Sequence, residues 1–314
     1  MTQYLEYVTF TNDDDELERR DIRDAEGRTL IADCEADIST LDGRLDDVED
    51  VQQPRIIKHI NNLFPGRNIN TSCAQAIADG NYANAWEFLK ACAQARSYDG
   101  LEIGDYVPIT IGSNTYNYRI GAFDYDLGCC GTEVTTGSIF MVPDKVFPDG
   151  VAWKSGSNNN NGNSTSAHPY IVSTLHDYEL NTLLPTFPSE VRAVMKERTA
   201  LLEKRYTNGS TLTDSNGWDW VNMGRLWSLS EVEVYGQMYW SGPYANGADT
   251  QLPLFRDVRN RILRTPDNSR SYWWLRCVHS GSSTSACNVS GDGAANNSNT
   301  SYTVVRPAPC FLVG

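Results

Sequence analysis

Glu231 and Glu233 stand two residues apart, a spacing that on a strand turns both carboxylates to one face. A carboxylate pair of that kind is what acid–base hydrolysis of a glycan needs. Asp124 and Asp126 flank Tyr125 in the same way, and His279 follows closely on Cys277, with Cys287 further along. Each group has a structural alternative. Ion pairing of the glutamates with Arg225 or Arg276 is the preferred reading, because structural ion networks imitate sites. No catalytic residue is therefore assigned. The eight cysteines include no CxxC pair and the four histidines are scattered. Structural zinc uses tight ligand pairs, so no metal ligand is assigned, and no cofactor is expected.

Binding chemistry is denser than catalytic chemistry. Between Tyr272-Trp273-Trp274-Leu275-Arg276 and Val304-Val305-Arg306-Pro307-Ala308 lies a stretch rich in Ser, Asn, Gly and Thr, residues 280–301, in which Val289 is the only branched apolar residue. Hydroxyls and amides offer adaptable hydrogen bonds of the kind antibody loops use. His279, Ser280, Ser282, Ser283, Thr284, Asn288, Asn296, Asn297, Asn299 and Tyr302 are the expected ligand contacts. The composition suits exposed turns, while Trp and Leu before it and paired Val after it suit buried strands that hold it. A second polar tract, residues 154–167, has a similar composition. Their likeness matters only where the fold sets them side by side.

Other elements must carry these loops. Alternation predicts strands over 101–111, 116–123 and 138–143, the last stopped by Pro143. Residues 56–66 and 74–95 read as helices bridging two parts of the chain, with Ile77, Trp86, Leu89 and Cys92 facing inward and Phe88 near the edge of that face. Pro188 through Tyr206 reads as the clearest long helix, with Val191, Val194, Met195 and Leu201 on its inner face. Trp218, Trp220 and Trp227, closely spaced, mark a core region of strands and turns.

The amino-terminal part is different. Residues 1–50 hold 17 acidic and 5 basic side chains, so they carry most of the net charge of −14. Ile31, Cys34, Ile38, Leu41, Leu45 and Val48 recur at alternating spacings of three and four, the seam of a short coiled coil. Self-association is expected, as a homotrimer, although the Ile and Leu placement does not itself fix strand number. No basic footprint favours nucleic acid, and no apolar run is long enough to enter a membrane. The first residues lack a signal-peptide pattern, so export through a cleaved signal is not expected.

Several segments in order resemble a family of uncharacterised C-terminal domains found in phages and Gram-positive gut bacteria. They are Gly104-Asp105-Tyr106, Tyr118-Arg119-Ile120, Phe140-Met141-Val142-Pro143, Gly217-Trp218-Asp219-Trp220, Leu226 through Gly236, Trp273-Trp274-Leu275-Arg276 and Val305-Arg306-Pro307-Ala308. The resemblance implies an α+β, C-type-lectin-like, loop-rich head, similar also to formylglycine-generating enzymes and to the variable proteins of diversity-generating retroelements. Those proteins rewrite loops at adenines, and asparagine codons begin with two. Lectins of this fold often hold calcium, but only Asp292 lies in the loop here. Asp24-Ala25-Glu26-Gly27-Arg28 is similar to attachment segments of phage tail or baseplate proteins. The implied division is 1–55 attachment and oligomerisation, 56–100 helical linker, and 101–314 binding head. The implied role is a virion protein that meets a bacterial surface glycan or protein and docks on other virion proteins through its amino terminus. The alternatives are a decoration protein or a glycan-acting enzyme.

Overall fold

Residues 106–111 and 114–123 alternate in hydrophobicity because they form strands that bury one face more than the other. The structure, a computed structural model, describes residues 7–11, 17–21, 25–47, 66–128, 135–156, 160–164, 166–206, 217–242 and 247–314. It divides into two units, Met1–Phe64 and Pro65–Gly314. In the first, strands β1 (Tyr7–Thr11) and β2 (Leu17–Asp21) pair antiparallel, and helix α1 spans Ala25–Asp47. Cys34, Ile38, Leu41 and Leu45 lie on α1 with their side chains exposed. Val48, the Ile31 side chain and residues 56–65 of the helix expected over 56–66 lie outside the described residues.

The second unit begins with three short helices, α2 (Ile69–Ser72), α3 (Ala74–Asp79) and α4 (Ala85–Ala95). Asn84 caps α4 by accepting from the amides of Trp86 and Glu87, which satisfies two orphan donors of the first turn. Trp86, Phe88 and Leu89 are buried in the same core as the sheets, so this segment is part of the second unit and not only a bridge. Phe88 is buried, not marginal.

Strands β3 (Tyr106–Ile111), β4 (Asn114–Phe123) and β5 (Ile139–Pro143) form an antiparallel meander. Two later strands complete the sheet: β6 (Met195–Lys196) and β12 (Phe311–Val313) give the order β3-β4-β5-β12-β6. The last strand of the chain therefore lies between β5 and β6, and all five residues of β5 are buried, as a strand covered on both faces requires. Gly121 marks the bulge between β4 and β5; a Cβ there would meet Val142 at 2.8 Å.

The long helix expected over 188–206 does not form. After α5 (Thr174–Tyr178), a π-helical turn over Glu179–Leu183 and a 3-10 turn over Leu184–Thr186, only α6 (Ser189–Val194) is helical within the expected span before the chain turns extended. Met195 and Lys196 join β12, and β7 (Thr199–Glu203) pairs with β8 (Trp218–Asn222). Strand pairing overrides helix propensity there. The exposure of Ala200 and Leu202 against Leu201 shows the period of two that the helical reading missed. Trp227 is fully buried, but Trp218 and Trp220 are 46% and 38% exposed. They stand two apart on the outer face of the β7–β8 hairpin, whose other face buries Ala200 and Leu202.

A third sheet carries the polar stretch. Strands β9 (Trp273–Val278), β10 (Ser285–Val289) and β11 (Ala295–Asn299) run antiparallel in the order β11-β10-β9. Every residue of β9 is buried. The indole N–H of Trp274 donates to Val151 O at 2.7 Å, that of Trp273 to Arg261 O at 3.1 Å, and that of Trp153 to Leu275 O at 3.0 Å. Buried tryptophans with satisfied N–H groups supply area and orientation together. The result is an α+β architecture of antiparallel sheets with few, short helices. Among the described residues no helix is long and apolar enough to cross a membrane.

Candidate functional site

Asn160 joins the two polar tracts. It is fully buried, its backbone N–H donates to Ser283 O at 2.8 Å, and its side-chain amide reaches Ser282 O at 2.7 Å and Ser285 O at 2.8 Å. Lys154 donates from its backbone to Thr300 O and from Nζ to Asn161 O, while Arg205 Nη1 donates to His279 O. Segments 120 residues apart in sequence thus form one surface, the juxtaposition on which their shared composition gains meaning. Within it the hydroxyls of Ser282, Thr284 and Ser285 bond one another. Residues 157–159 and 165 of the earlier tract lie outside the described residues.

The expected contacts distribute unevenly. Ser280 and Tyr302 are exposed; His279, Ser282, Ser283, Thr284, Asn296, Asn297 and Asn299 are half-buried. Asn288 is a correction: it is fully buried on the central strand β10, where it donates to Ser298 Oγ at 2.7 Å, and it presents nothing to a ligand. The stretch is also less loop-like than its composition implies. Ten of its residues pair as β10 and β11, so backbone pairing, together with the buried Ala286, Cys287 and Val289, orders it. Of the paired valines beyond it, Val305 is buried and Val304 is 69% exposed.

Both candidate glutamates are engaged by neighbouring groups of the fold. Glu231 and Glu233 lie on helix α7 (Glu231–Tyr235), not on a strand, and point different ways. Ser230 and Glu233 form a reciprocal capping box at its start. Glu231 accepts from the backbone N–H groups of Trp240 and Ser241 and from the Ser241 hydroxyl, so it clamps the 240–241 turn. Glu233 meets Arg276, as one of the alternatives for it held, and also Arg198 at 2.7 Å. Arg225 instead bonds Arg192 O.

Around these lies a buried network of five charges. Arg198 pairs with Asp126 at 2.9 Å, Arg276 pairs with Asp249, and the rings of Tyr125, Phe140 and Trp227 surround the Arg198 guanidinium at 5.3 to 5.5 Å. Burial pushes Glu233 up, yet Arg198 and Arg276 outweigh it and hold the group at about 2. Burial pushes Asp249 up to about 7, with Glu233 adding to the effect against Arg276 and Arg198. Three carboxylates face two guanidiniums, and Asp249 is held high while Glu233 is held low. An acid whose folded pKa is raised contributes stability below its unfolded value near 3.9 and loses it as pH rises towards 7. Asp249→Asn is therefore expected to flatten the decline in stability between about pH 4 and 7, measured by urea denaturation at several pH values. An unchanged profile would remove Asp249 from that role.

Cys277 and Cys287 are buried, and burial pushes both thiols well above the ordinary thiol range, the opposite of a reactive cysteine. Cys129 and Cys130 lie outside the described residues. Among the described residues no group of three or more His, Cys, Asp or Glu is placed to hold a metal ion.

The fold and this surface define an α+β domain whose buried ion network and tryptophans support a polar, sheet-ordered face. The chain belongs to a family called a domain of unknown function, DUF6273, whose profile matches residues 136–312, more than half of the chain. The match begins just before β5, so β3 and β4, which complete the large sheet, precede it. No curated protein and no solved structure matches the chain.

Proposed function

We propose that this protein is a phage virion component, of tail-fibre or baseplate type, that binds a bacterial surface through the exposed and half-buried residues of 279–302, held from beneath by the buried Asn160 and Asn161. The observation that carries the reading is the buried Asn160, which fastens two hydroxyl- and amide-rich segments into one ordered surface. Ordering a polar surface in advance lowers the entropic cost of binding, so weak individual contacts become sufficient. A lectin-like head is the finer form of the fold in this proposal, and the surface residues are open to diversification by a retroelement.

The exposed seam of α1 supports a homotrimeric coiled coil as the stalk, with the amino terminus docking on other virion proteins. Three copies raise avidity without any new contact. Sedimentation equilibrium of the full chain at micromolar concentration is expected to give the mass of three chains, and Leu41→Asp to give one. A monomeric wild type would contradict the stalk.

Sequencing sibling genomes distinguishes recognition from decoration. Substitutions are expected to concentrate at the solvent-facing positions, among them Ser280, Asn296, Asn297, Asn299 and Tyr302, and to spare Asn160 and Asn288. Even drift over the whole surface would favour a decoration protein.

A further inference from the structure

Met238, Tyr239 and Trp240 are consecutive large apolar side chains and are 44%, 55% and 38% exposed. Such runs on a protein surface mark interaction sites more often than single exposed residues do. The backbone beneath them is firmly held. The fully buried Glu231 accepts from the amides of Trp240 and Ser241, Trp240 O accepts from both the N–H and the hydroxyl of Ser280, and Ser241 bridges to His279. The Trp240 ring lies 5.3 Å from that of His279, and the Tyr239 ring stands edge-on to buried Tyr235 at 5.4 Å. An indole, a phenol and an imidazole are thereby fixed beside Ser280, where the polar face begins.

The chemistry of this shelf selects its occupant. Aromatic faces accept the C–H face of a ring, while Ser280, the Tyr239 hydroxyl and the imidazole offer hydrogen bonds to hydroxyl groups at its edge. Among the described residues the charges that act on His279 are opposite in sign, Glu231, buried and spent on the turn, and Arg205, whose Nη1 donates to His279 O, and burial lowers the affinity of His279 for a proton. A ligand that is apolar on its faces, polar at its rim and without charge matches these groups. We propose that Tyr239, Trp240, His279 and Ser280 form a stacking subsite for a neutral pyranose of a bacterial surface glycan, bound without a metal ion. This rests on the proposal that the adjoining face meets a bacterial surface, and it names the ligand class.

The test has two arms, both on the full chain. In the first, methyl glycosides of glucose, galactose, N-acetylglucosamine and rhamnose, and neutral polysaccharide purified from Gram-positive walls, are titrated against tryptophan fluorescence. At least one is expected to bind, with Trp240→Ala weakening it about tenfold or more, Trp240→Phe less, and Trp218→Ala not at all. Equal thermal midpoints show that the variants fold. Binding by none, or binding indifferent to Trp240→Ala, overturns the subsite. In the second arm, bacteria that adsorb the protein are treated with periodate, which cleaves sugar diols, or with protease. Loss of adsorption to periodate alone supports the glycan. Loss to protease alone identifies a protein receptor, which overturns this inference and leaves the surface-binding proposal standing. Adsorption to no bacterium counts against that proposal, while the glycoside titration still decides the subsite.

Discussion

Arg276→Met is expected to destabilise the second unit by about 3–5 kcal/mol, because it leaves two carboxylates in the interior without their shared cation. Arg276 pairs with both Glu233 and Asp249 and donates to Ser228 O, and its side chain is almost completely buried. Arg198 remains beside Asp126 and Glu233, and at 3.8 Å from Asp249, but one guanidinium would then face three acids. Combining Arg276→Met with Asp249→Asn removes one orphaned charge and is expected to restore part of the loss. Urea denaturation of the full chain and both variants measures this. A cost below about 1 kcal/mol would place the network among ordinary surface ion pairs, in conflict with its burial.

Asn160→Ala is expected to uncouple the two polar tracts. It removes the side-chain donor to Ser282 O and one of two donors to Ser285 O, which keeps the His279 N–H, and leaving a buried carbonyl unpaired costs about 1–3 kcal/mol. Asn160→Asp is expected to cost more, since it turns a carboxylate oxygen towards those carbonyls. The larger effect is local. Amide hydrogens of residues 279–285 should exchange much faster in either variant, while those of β5 and β9 change little. Hydrogen exchange read by mass spectrometry checks this, and unchanged protection over 279–285 would show that Asn160 does not order the surface.

The meander was legible in the sequence because each of its strands buries one face or both and so writes a clear apolar pattern. The frame of Trp273 and Trp274 was legible for the same reason. Three features were not. The helix expected over 188–206 failed because Val191, Val194 and Met195 satisfy a helical period locally, while the pairing partners that win, β12 and β8, lie elsewhere in the chain. Trp218 and Trp220 were assigned to the core on residue type alone, although a two-stranded hairpin must leave one face outside. Asn160 was hidden within a polar tract, since nothing in composition separates a buried amide that clamps a loop from an exposed one beside it. Trp240 had a readable signal: three large apolar residues between Gly236 and Gly242, in a segment too short and too rich in turn formers to be a strand.

The α1 seam and the polar surface rest on different physics. In the proposed trimer other copies of the chain cover the exposed Ile38, Leu41 and Leu45; the polar surface lies within Pro65–Gly314 alone. A variant that is monomeric but intact in the second unit should keep its site affinity and lose avidity.

Adsorption of the labelled full chain to a panel of Gram-positive gut bacteria tests the central claim most directly, with a variant carrying Ser280→Ala, Asn297→Ala and Tyr302→Ala beside it. Saturable adsorption to some members of the panel, lost in the variant while its unfolding midpoint stays the same, is the expected result. Saturable adsorption that the triple variant retains in full would contradict it, as would none to any bacterium.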